Sequence, residues 1–557
     1  MLTSASSSRS VPDRVDRFDF RNLFVLDLAN NHQGNLEHGR RVIREIGAAV
    51  QERGARAALK FQFRQLETFI HPAHQQGSAH KQVKRFLGTK LSMSDFEVLL
   101  KEVRRAGMIT MCTPFDEASV DIIAESDYDI IKVASCSAKD WPLLEKIAEA
   151  GKPVIFSTGG LHITEVDHLV SFFEHRGVDF AMMHCVAIYP TPDTHFELNR
   201  IDVLRRRYRH RAIGWSTHEL PEDISPVQMA VAKGAVLFER HVGVATDELP
   251  LNSYSSNPEH IGRWIDACRR AQVLCGDDVL GEPTPVEIES LNSLKRGVYS
   301  RRRVAAGEKL EAEDVFFAIP YEEGQLDSGQ FKAGLIVKHT LETGQAIDFS
   351  SIIQPPSPER LVIQNAIHEA KALLNEANIA LNSEFTVEYS HHYGVSRFRE
   401  TGAIIINCVN RSYCKKLILQ LPGQHHPLHF HKLKEETFQV LHGEVYVEVD
   451  RHRRLLEPGE TILIQPGTWH CFWTKTGVIF EEISTTHFTN DSYYRDKAIN
   501  RMALGQRKTV VDHWGRFQLY SEQEIQQAEL GEESVPAPNT PPPKKLSPRS
   551  KSPRAPK

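Results

Sequence analysis

From about residue 22 to 280, short apolar runs alternate with amphipathic stretches. The runs are "LFVLDLA" (23–29), "AALKFQF" (57–63), "MITMCTP" (108–114), "DIIKVAS" (129–135), "PVIFSTG" (153–159), "FAMMHCV" (180–186), "AIGWSTH" (212–218) and "VLFERHV" (236–242). Each is short enough for a buried strand, and helical patterns such as "WPLLEKIAEAG" and "PVQMAVAKGA" lie between them. Strand-helix alternation repeated eight times predicts an α/β fold, a (β/α)₈ TIM barrel. Its second connection is long, with an insertion near 64–95. The pattern changes after residue 290, where short strands with Gly turns predict a small β-rich module, and again after a Pro-rich linker, "QPPSPER". A helical stretch then leads into an all-β pattern. The division predicted is a disordered N-terminus (1–20), a barrel (21–285), a β module (290–353), a linker and helix (354–384), an all-β domain (385–500) and a disordered basic Pro/Ser tail (525–557).

Composition narrows the setting. The chain has 557 residues with 41% hydrophobic and 25% charged residues, as in a globular protein of several domains. The net charge of -5, with six Lys/Arg confined to the last seventeen residues, gives no reason to expect nucleic-acid binding. Eight cysteines without CxxC spacing read as reduced thiols. No apolar run is long enough to span a membrane, and the polar N-terminus lacks a secretory h-region. The expectation is a cytoplasmic protein with small-molecule partners.

In a (β/α)₈ barrel the chemistry sits at the C-terminal ends of the strands. Here those ends carry Asp27, Lys60 and Gln62, Thr113 and Asp116, Lys132 and Ser135, Ser157 and Thr158, His184, Ser216 and His218, and Glu239 with His241. One polar strand end is ordinary; eight in succession predict a site. Two lysines among hydroxyls suit a phosphate or carboxylate. His218 and His241, on adjacent strands, can share a divalent ion that polarises a carbonyl. The residues alone predict a metal-assisted reaction between an anionic small molecule and a carbonyl compound.

The motifs "NNHQGN", "LKFQ", "TPFDEASVDII", "IKVAS", "KPVIFSTGG", "HCVAIYPTP", "GWSTHE" and "ERHV" follow in an order that resembles the sialic acid synthase family. That family condenses phosphoenolpyruvate with an N-acetylated amino sugar. The resemblance covers roughly residues 20–350, and the β module is similar to the family's antifreeze-like (SAF) domain. It implies Asp27, His218 and His241 as catalytic residues, the last two as ligands of manganese or magnesium. It implies Lys60, Thr113, Lys132, Ser135, Ser157 and Ser216 as phosphoenolpyruvate contacts, and Gln62 and Tyr189 as sugar contacts. Arg296 matches an arginine that the SAF domain sends into a partner subunit's site, which implies a homodimer with exchanged SAF domains. Four departures fall on the sugar side. Asp27 stands where the family has Glu, Ser137 where it has a carboxylate, Ala187 where it has a polar residue, and "LPLNSY" (249–254) where it has an acid-bearing segment. They imply a changed acceptor aldehyde.

"GQHHPLHFHKLKEETFQVLHG" (423–443) and "GETILIQPGTWH" (459–470) resemble the two-part cupin signature, with Gln465 in place of the usual Pro. His429 and His431 are two apart on a strand and face the same way. With Glu436 and His470 they form a set suited to Mn, Fe, Ni or Zn. Glu481, Glu482 and His487 add candidate polar groups, while His425 and His426 read as loop residues. The domain is expected to bind metal and a sugar. The alternative reading of the chain is a cupin-type sugar isomerase or epimerase whose barrel has altered or lost synthase activity.

Overall fold

The computed structural model describes residues 17–276, 283–353, 359–488, 490–512 and 514. The predicted disordered tail (525–557), residues 1–16 and the linker residues 354–358 lie outside them. The chain forms two compact units, 1–282 and 283–557.

All eight apolar runs become strands of one closed parallel barrel: β1 (Leu23–Asp27), β2 (Ala57–Phe63), β3 (Ile109–Pro114), β4 (Ile130–Val133), β5 (Val154–Ser157), β6 (Phe180–Cys185), β7 (Ile213–Ser216) and β8 (Leu237–His241), in that order around the ring. The two-residue period of a strand sorts the side chains. One face meets the surrounding helices in a core that includes Phe24, Leu26, Leu59, Phe61, Phe156 and Phe238. The other face fills the interior with Leu23, Val25, Ala58, Met111, Ile130, Ile155, Met183 and Leu237. Phe18 and Phe20, ahead of the first strand, join this inner core. Further along the same inward rows come Asp27, Lys60, Thr113, Lys132, Ser157, Cys185, Ser216 and Glu239, which line a pocket. Apolar layers therefore floor the barrel, and polar side chains occupy its C-terminal mouth, the arrangement expected of this fold.

Helices are fixed at the strand exits by side-chain caps. Asn35 accepts from His38 N ahead of the helix Leu36–Glu52, and Asp116 accepts from Ser119 N ahead of Glu117–Glu125. The insertion after β2 folds into the short helix Leu66–Phe69, a 3₁₀ turn Pro72–His74 and the helix Lys81–Gly88.

In the second unit, strands Gly297–Ser300 and Val315–Ala318 pair, and Lys309–Leu310, Leu335–Val337 and Ile352–Ile353 form a small sheet. Val298, Leu310, Leu326, Leu335 and Ile347 make their core. After the helix Glu359–Glu376 come two sheets, one of seven strands and one of five. The five-stranded sheet holds His425–His431 beside His470–Trp473, and the seven-stranded sheet holds Glu436–Gly443. Among the described residues no helix is long and apolar enough to cross a membrane, and all eight cysteines are free thiols.

Candidate active site and metal centres

Strand register places the barrel's charges. Asp27 lies opposite Lys60 on β2 and His241 on β8, and Ser216 lies opposite Glu239. Lys60 Nζ contacts Asp27 Oδ2 at 3.0 Å and bonds to Glu239 Oε1. Lys132 Nζ lies 3.5 Å from Glu239 Oε2 and donates to Ser157 Oγ at 2.6 Å. All four charged groups are buried. Burial alone would push Lys60 down, but Asp27 and Glu239 outweigh it and hold its ammonium above the ordinary lysine value. Burial also opposes ionisation of Glu239, yet Lys132 and Lys60 keep it well below the usual carboxylate range. Lys132 is lowered by burial and by repulsion from Lys60, against the pull of Glu239.

Around this pair of lysines the hydroxyls of Thr113, Ser135, Ser157 and Ser216 line the same pocket, whose volume is about 1070 Å³. Ser135 Oγ accepts from Gly159 N at 3.1 Å. Thr113 Oγ1 is buried with no hydrogen-bond partner, and an unmet hydroxyl at a pocket wall is a group awaiting a ligand. The residues expected to hold an anion thus line one pocket, from β2 round to β7.

The histidine pair stands just beyond β7 and at the end of β8. His218 donates Nδ1–H to the Val186 carbonyl at 2.9 Å, and His241 Nδ1 lies 3.3 Å from Asp27 Oδ2. A carbonyl only accepts, so the Nε2 lone pair of His218 is free. The two rings are 5.3 Å apart. Burial and then the neighbouring His241 push His218 down to about 3, and burial lowers His241 despite Asp27. Both imidazoles are therefore neutral at physiological pH, the form that binds a metal. Asp27 Oδ1 also accepts from Ala29 N at 2.9 Å, and Gln62 Nε2 donates to Asp27 Oδ2 at 3.2 Å. Asp27 is thus fully engaged in holding Lys60, Gln62 and His241.

Tyr189 stands 4.0 Å from the His218 ring and 5.3 Å from Tyr254, which is 5.3 Å from His241. Tyr254 and Asn252 come from the "LPLNSY" segment, so the stretch that departs most from the family still supplies two pocket walls. Three strand-end residues have other tasks, and Ser137 lies off the pocket. His184 faces outward and bonds to the Phe196 carbonyl at 2.8 Å, a correction that its position between inward-facing Met183 and Cys185 explains. Asp116 caps a helix, Thr158 Oγ1 donates to the Met183 carbonyl, and Ser137 is buried beside the pocket-lining Cys136. Arg296 belongs to the second unit, where its guanidinium lies 5.8 Å from the Phe317 ring centroid.

In the double-sheet domain His429, His431 and His470 bring ligand atoms within 4.8 Å of one another. Each turns Nδ1 to a backbone carbonyl: His429 to Pro427 (2.9 Å), His431 to Asp491 (2.8 Å) and His470 to Thr468 (3.1 Å). All three Nε2 lone pairs consequently point inward. Glu436 arrives from the facing sheet, with Oε2 3.2 Å from His470 Nε2. Glu436 Oε2 and His470 Nε2 are both buried without hydrogen-bond partners. Four converging donors with unmet lone pairs fit a divalent ion. Lys434 Nζ bonds to Glu436 Oε1 and reaches Glu482 Oε1 at 2.9 Å. The neighbouring cavity is about 40 Å³, room for an ion and a few waters rather than a sugar ring.

His425 and His426 lie in a strand, not in a loop. A register shift between His426 and His429 bulges the strand and swings His426 inward, where its Nε2 is 3.0 Å from His392 Nε2. Glu482 joins the buried cavity network, whereas Glu481 pairs with Lys415 at 2.7 Å.

Residues 46–279 match the NeuB family and residues 417–481 match a cupin domain. An uncharacterized protein of Methanocaldococcus jannaschii, MJ1065, is 31% identical over 294 residues, covering 52% of this chain and 82% of that protein. The N-acetylneuraminate-9-phosphate synthase of Drosophila melanogaster is 25% identical over 328 residues, covering 54% of this chain and 87% of that one. The crystal structure of a Chromobacterium violaceum protein, provisionally named spore coat polysaccharide biosynthesis protein E, aligns with a TM-score of 0.58 at 44% identity, covering 60% of this chain and 100% of that chain.

Proposed function

Because the chain belongs to the NeuB family, we propose that its barrel condenses phosphoenolpyruvate with the open-chain aldehyde of an amino sugar, such as N-acetylmannosamine, to give a 2-keto-3-deoxy sugar acid and phosphate. The observation that carries this reading is the shared mouth. Lysines and hydroxyls from β2 round to β7 line it, and beside them stands a neutral histidine pair, of which His241 contacts the same Asp27 that pairs with Lys60.

Lys132, Lys60 and the hydroxyls of Thr113, Ser135, Ser157 and Ser216 hold the phosphate and carboxylate of phosphoenolpyruvate. Glu239 keeps both lysines charged and in place. His218 and His241 hold a divalent ion, manganese or magnesium, which when bound polarises the aldehyde carbonyl. Gln62, Tyr189 and Tyr254 line the sugar side. In the overall step C3 of phosphoenolpyruvate bonds to the aldehyde carbon, whose oxygen ends as a hydroxyl. Water adds at C2, and phosphate leaves with the electron pair of the C2–O bond. Alignment of the two substrates in one enclosed mouth supplies much of the rate.

Arg296, on the β module, completes the sugar side from a second copy of the chain in a homodimer. The cupin domain holds its own divalent ion through His429, His431, His470 and Glu436. Purified protein with manganese, phosphoenolpyruvate and a panel of hexose and amino-sugar aldehydes tests the barrel reading. Aldehyde-dependent phosphate release supports it; no release with any aldehyde refutes it.

A further inference from the structure

The cupin cavity carries more charged groups than four metal ligands require. Besides the histidines and Glu436 it is lined by Lys416, Lys434 and Lys508 and by Glu388 and Glu482. All but Lys434 come from strands of the seven-stranded sheet, and register sets their places. Lys416 lies opposite Glu482, Lys508 opposite Ser390, and Glu436 opposite Ser484. Glu388, Lys416, Lys434, Glu436 and Glu482 are buried, and the Lys508 side chain is nearly so.

These groups are unequally paired. Lys508 Nζ contacts Glu388 Oε1 at 2.7 Å, and Lys434 bridges Glu436 and Glu482. Lys416 has the loosest hold. Among the described residues its ion-pair partner is Glu482, which at 3.5 Å is past good hydrogen-bond distance and already holds Lys434. Beside the cavity the Arg507 guanidinium lies 5.5 Å from the Tyr494 ring centroid, and its Nε and Nη1 are buried without hydrogen-bond partners among the described residues. Asp491, outside the lining, gives its carboxylate to the backbone amides of Lys432, Leu433 and Lys434.

Three ammonium groups face three carboxylates, so the lining by itself is neutral. Burial opposes ionisation of Glu388 and Glu482, but Lys508 holds the first and Lys416 the second below the usual carboxylate range. Burial lowers His426 well below its ordinary value and His487 to about 3, so neither imidazole adds charge. A divalent ion on the three histidines and Glu436 then leaves two positive charges in excess within an enclosed space. Such an excess is costly unless an anion enters with the ion. Burial already lowers Lys416 despite the pull of Glu482, with Lys434 adding repulsion, as expected of an ammonium short of a counter-ion. The volume of about 40 Å³ admits a ligand the size of a few waters and excludes a sugar ring.

We propose that the cupin cavity binds a small dianion, a short dicarboxylate, with one carboxylate at the ion held by His429, His431, His470 and Glu436 and the other against the ammonium of Lys416. The inference rests on the reading of those four residues as metal ligands and names what they hold the ion for. Two negative charges match the excess, and an ammonium gives a carboxylate charge-assisted hydrogen bonds. A neutral polyol leaves both charges unmet.

The test titrates full-length, manganese-loaded protein by calorimetry with oxalate, malonate, inorganic phosphate, the monoanion glycolate and neutral ethylene glycol. The barrel also takes anions, so each titration is repeated with His470→Ala, and the component lost belongs to the cupin. That component is expected to favour a dicarboxylate over glycolate by roughly tenfold or more, with no binding of ethylene glycol. Lys416→Met should weaken it by a similar factor at unchanged manganese content, read by inductively coupled plasma mass spectrometry, and Lys416→Arg should recover part of it. Where circular dichroism shows that Lys416→Met fails to fold, Lys508→Gln is the second variant; it leaves the Glu388 charge uncompensated in the cavity and should weaken the same component. Absence of a cupin component, or one in which phosphate, glycolate or ethylene glycol matches the dicarboxylates, overturns the proposal. So does loss of manganese from Lys416→Met, which would make that residue a support of the metal site. Equal manganese content in wild type and His470→Ala refutes the metal reading itself, and this inference with it.

Discussion

Asp27 Oδ2 stands 3.3 Å from His241 Nδ1, and the same oxygen lies 3.0 Å from Lys60 Nζ. One carboxylate thus neighbours both the His241 imidazole, proposed above as a metal ligand, and the Lys60 ammonium. Removing the charge from such an outer partner lowers metal affinity 10- to 100-fold in comparable sites. Asp27→Asn is expected to weaken manganese binding by that factor, read by titration calorimetry, while changing the KM for phosphoenolpyruvate less. An equal loss in both would mean that Asp27 serves only to hold the barrel mouth together.

Glu239 sits between two buried ammonium groups and is itself 4% exposed. Glu239→Gln leaves Lys132 without a counter-ion and Lys60 with Asp27 alone. Stripping one partner from a buried ion pair costs about 3–5 kcal/mol. Urea denaturation followed by tryptophan fluorescence should show a loss of that order in the barrel transition, because Trp215 and Trp264 are buried there.

The cupin donors make a separate prediction. His470→Ala removes one of the four converging ligands. Full-length protein carrying it should retain one metal ion fewer per chain than wild type after dialysis, measured by inductively coupled plasma mass spectrometry. Equal metal content in the two proteins would show that these histidines do not hold an ion.

His32 gives the barrel an acid-sensitive element. It is 3% exposed, accepts from Gly34 N at 3.1 Å through Nδ1, and packs edge-on against Phe96. Burial, then His38, lowers it from 6.5 to about 4. The unfolded chain therefore takes up this proton at higher pH than the folded one. The stabilisation is complete above pH 6.5 and is lost as pH falls toward 4, up to about 3 kcal/mol. His32→Gln should flatten that part of the stability profile; an unchanged slope between pH 6.5 and 4 would rule His32 out as its source.

Much of the barrel was legible because its strands are apolar on both faces and end in polar residues. The inward parity that brings Lys60, Lys132 and Ser157 together follows from counting twos along each run. The same count places His184 outside, a conclusion that strand ends considered one by one do not give. What sequence order hides is pairing across the closed ring. Glu239 meets Lys60 and Lys132 only because β8 closes on β1 and the mouth is narrow. Tyr254 and Asn252 were obscured by a segment without a recognisable motif. In the cupin, the pattern supplied the ligands, while the bulge that turns His426 inward left no signature in the spacing.

The central claim is that the barrel joins phosphoenolpyruvate to an aldehyde with cleavage of the C2–O bond. Phosphoenolpyruvate labelled with ¹⁸O at its bridging oxygen, incubated with the protein, manganese and the best acceptor aldehyde, tests it directly by mass spectrometry of both products. The account predicts aldehyde-dependent phosphate that carries the label, in equal amount to a 2-keto acid three carbons longer than the acceptor. Phosphate released without aldehyde, or phosphate free of label, would contradict it.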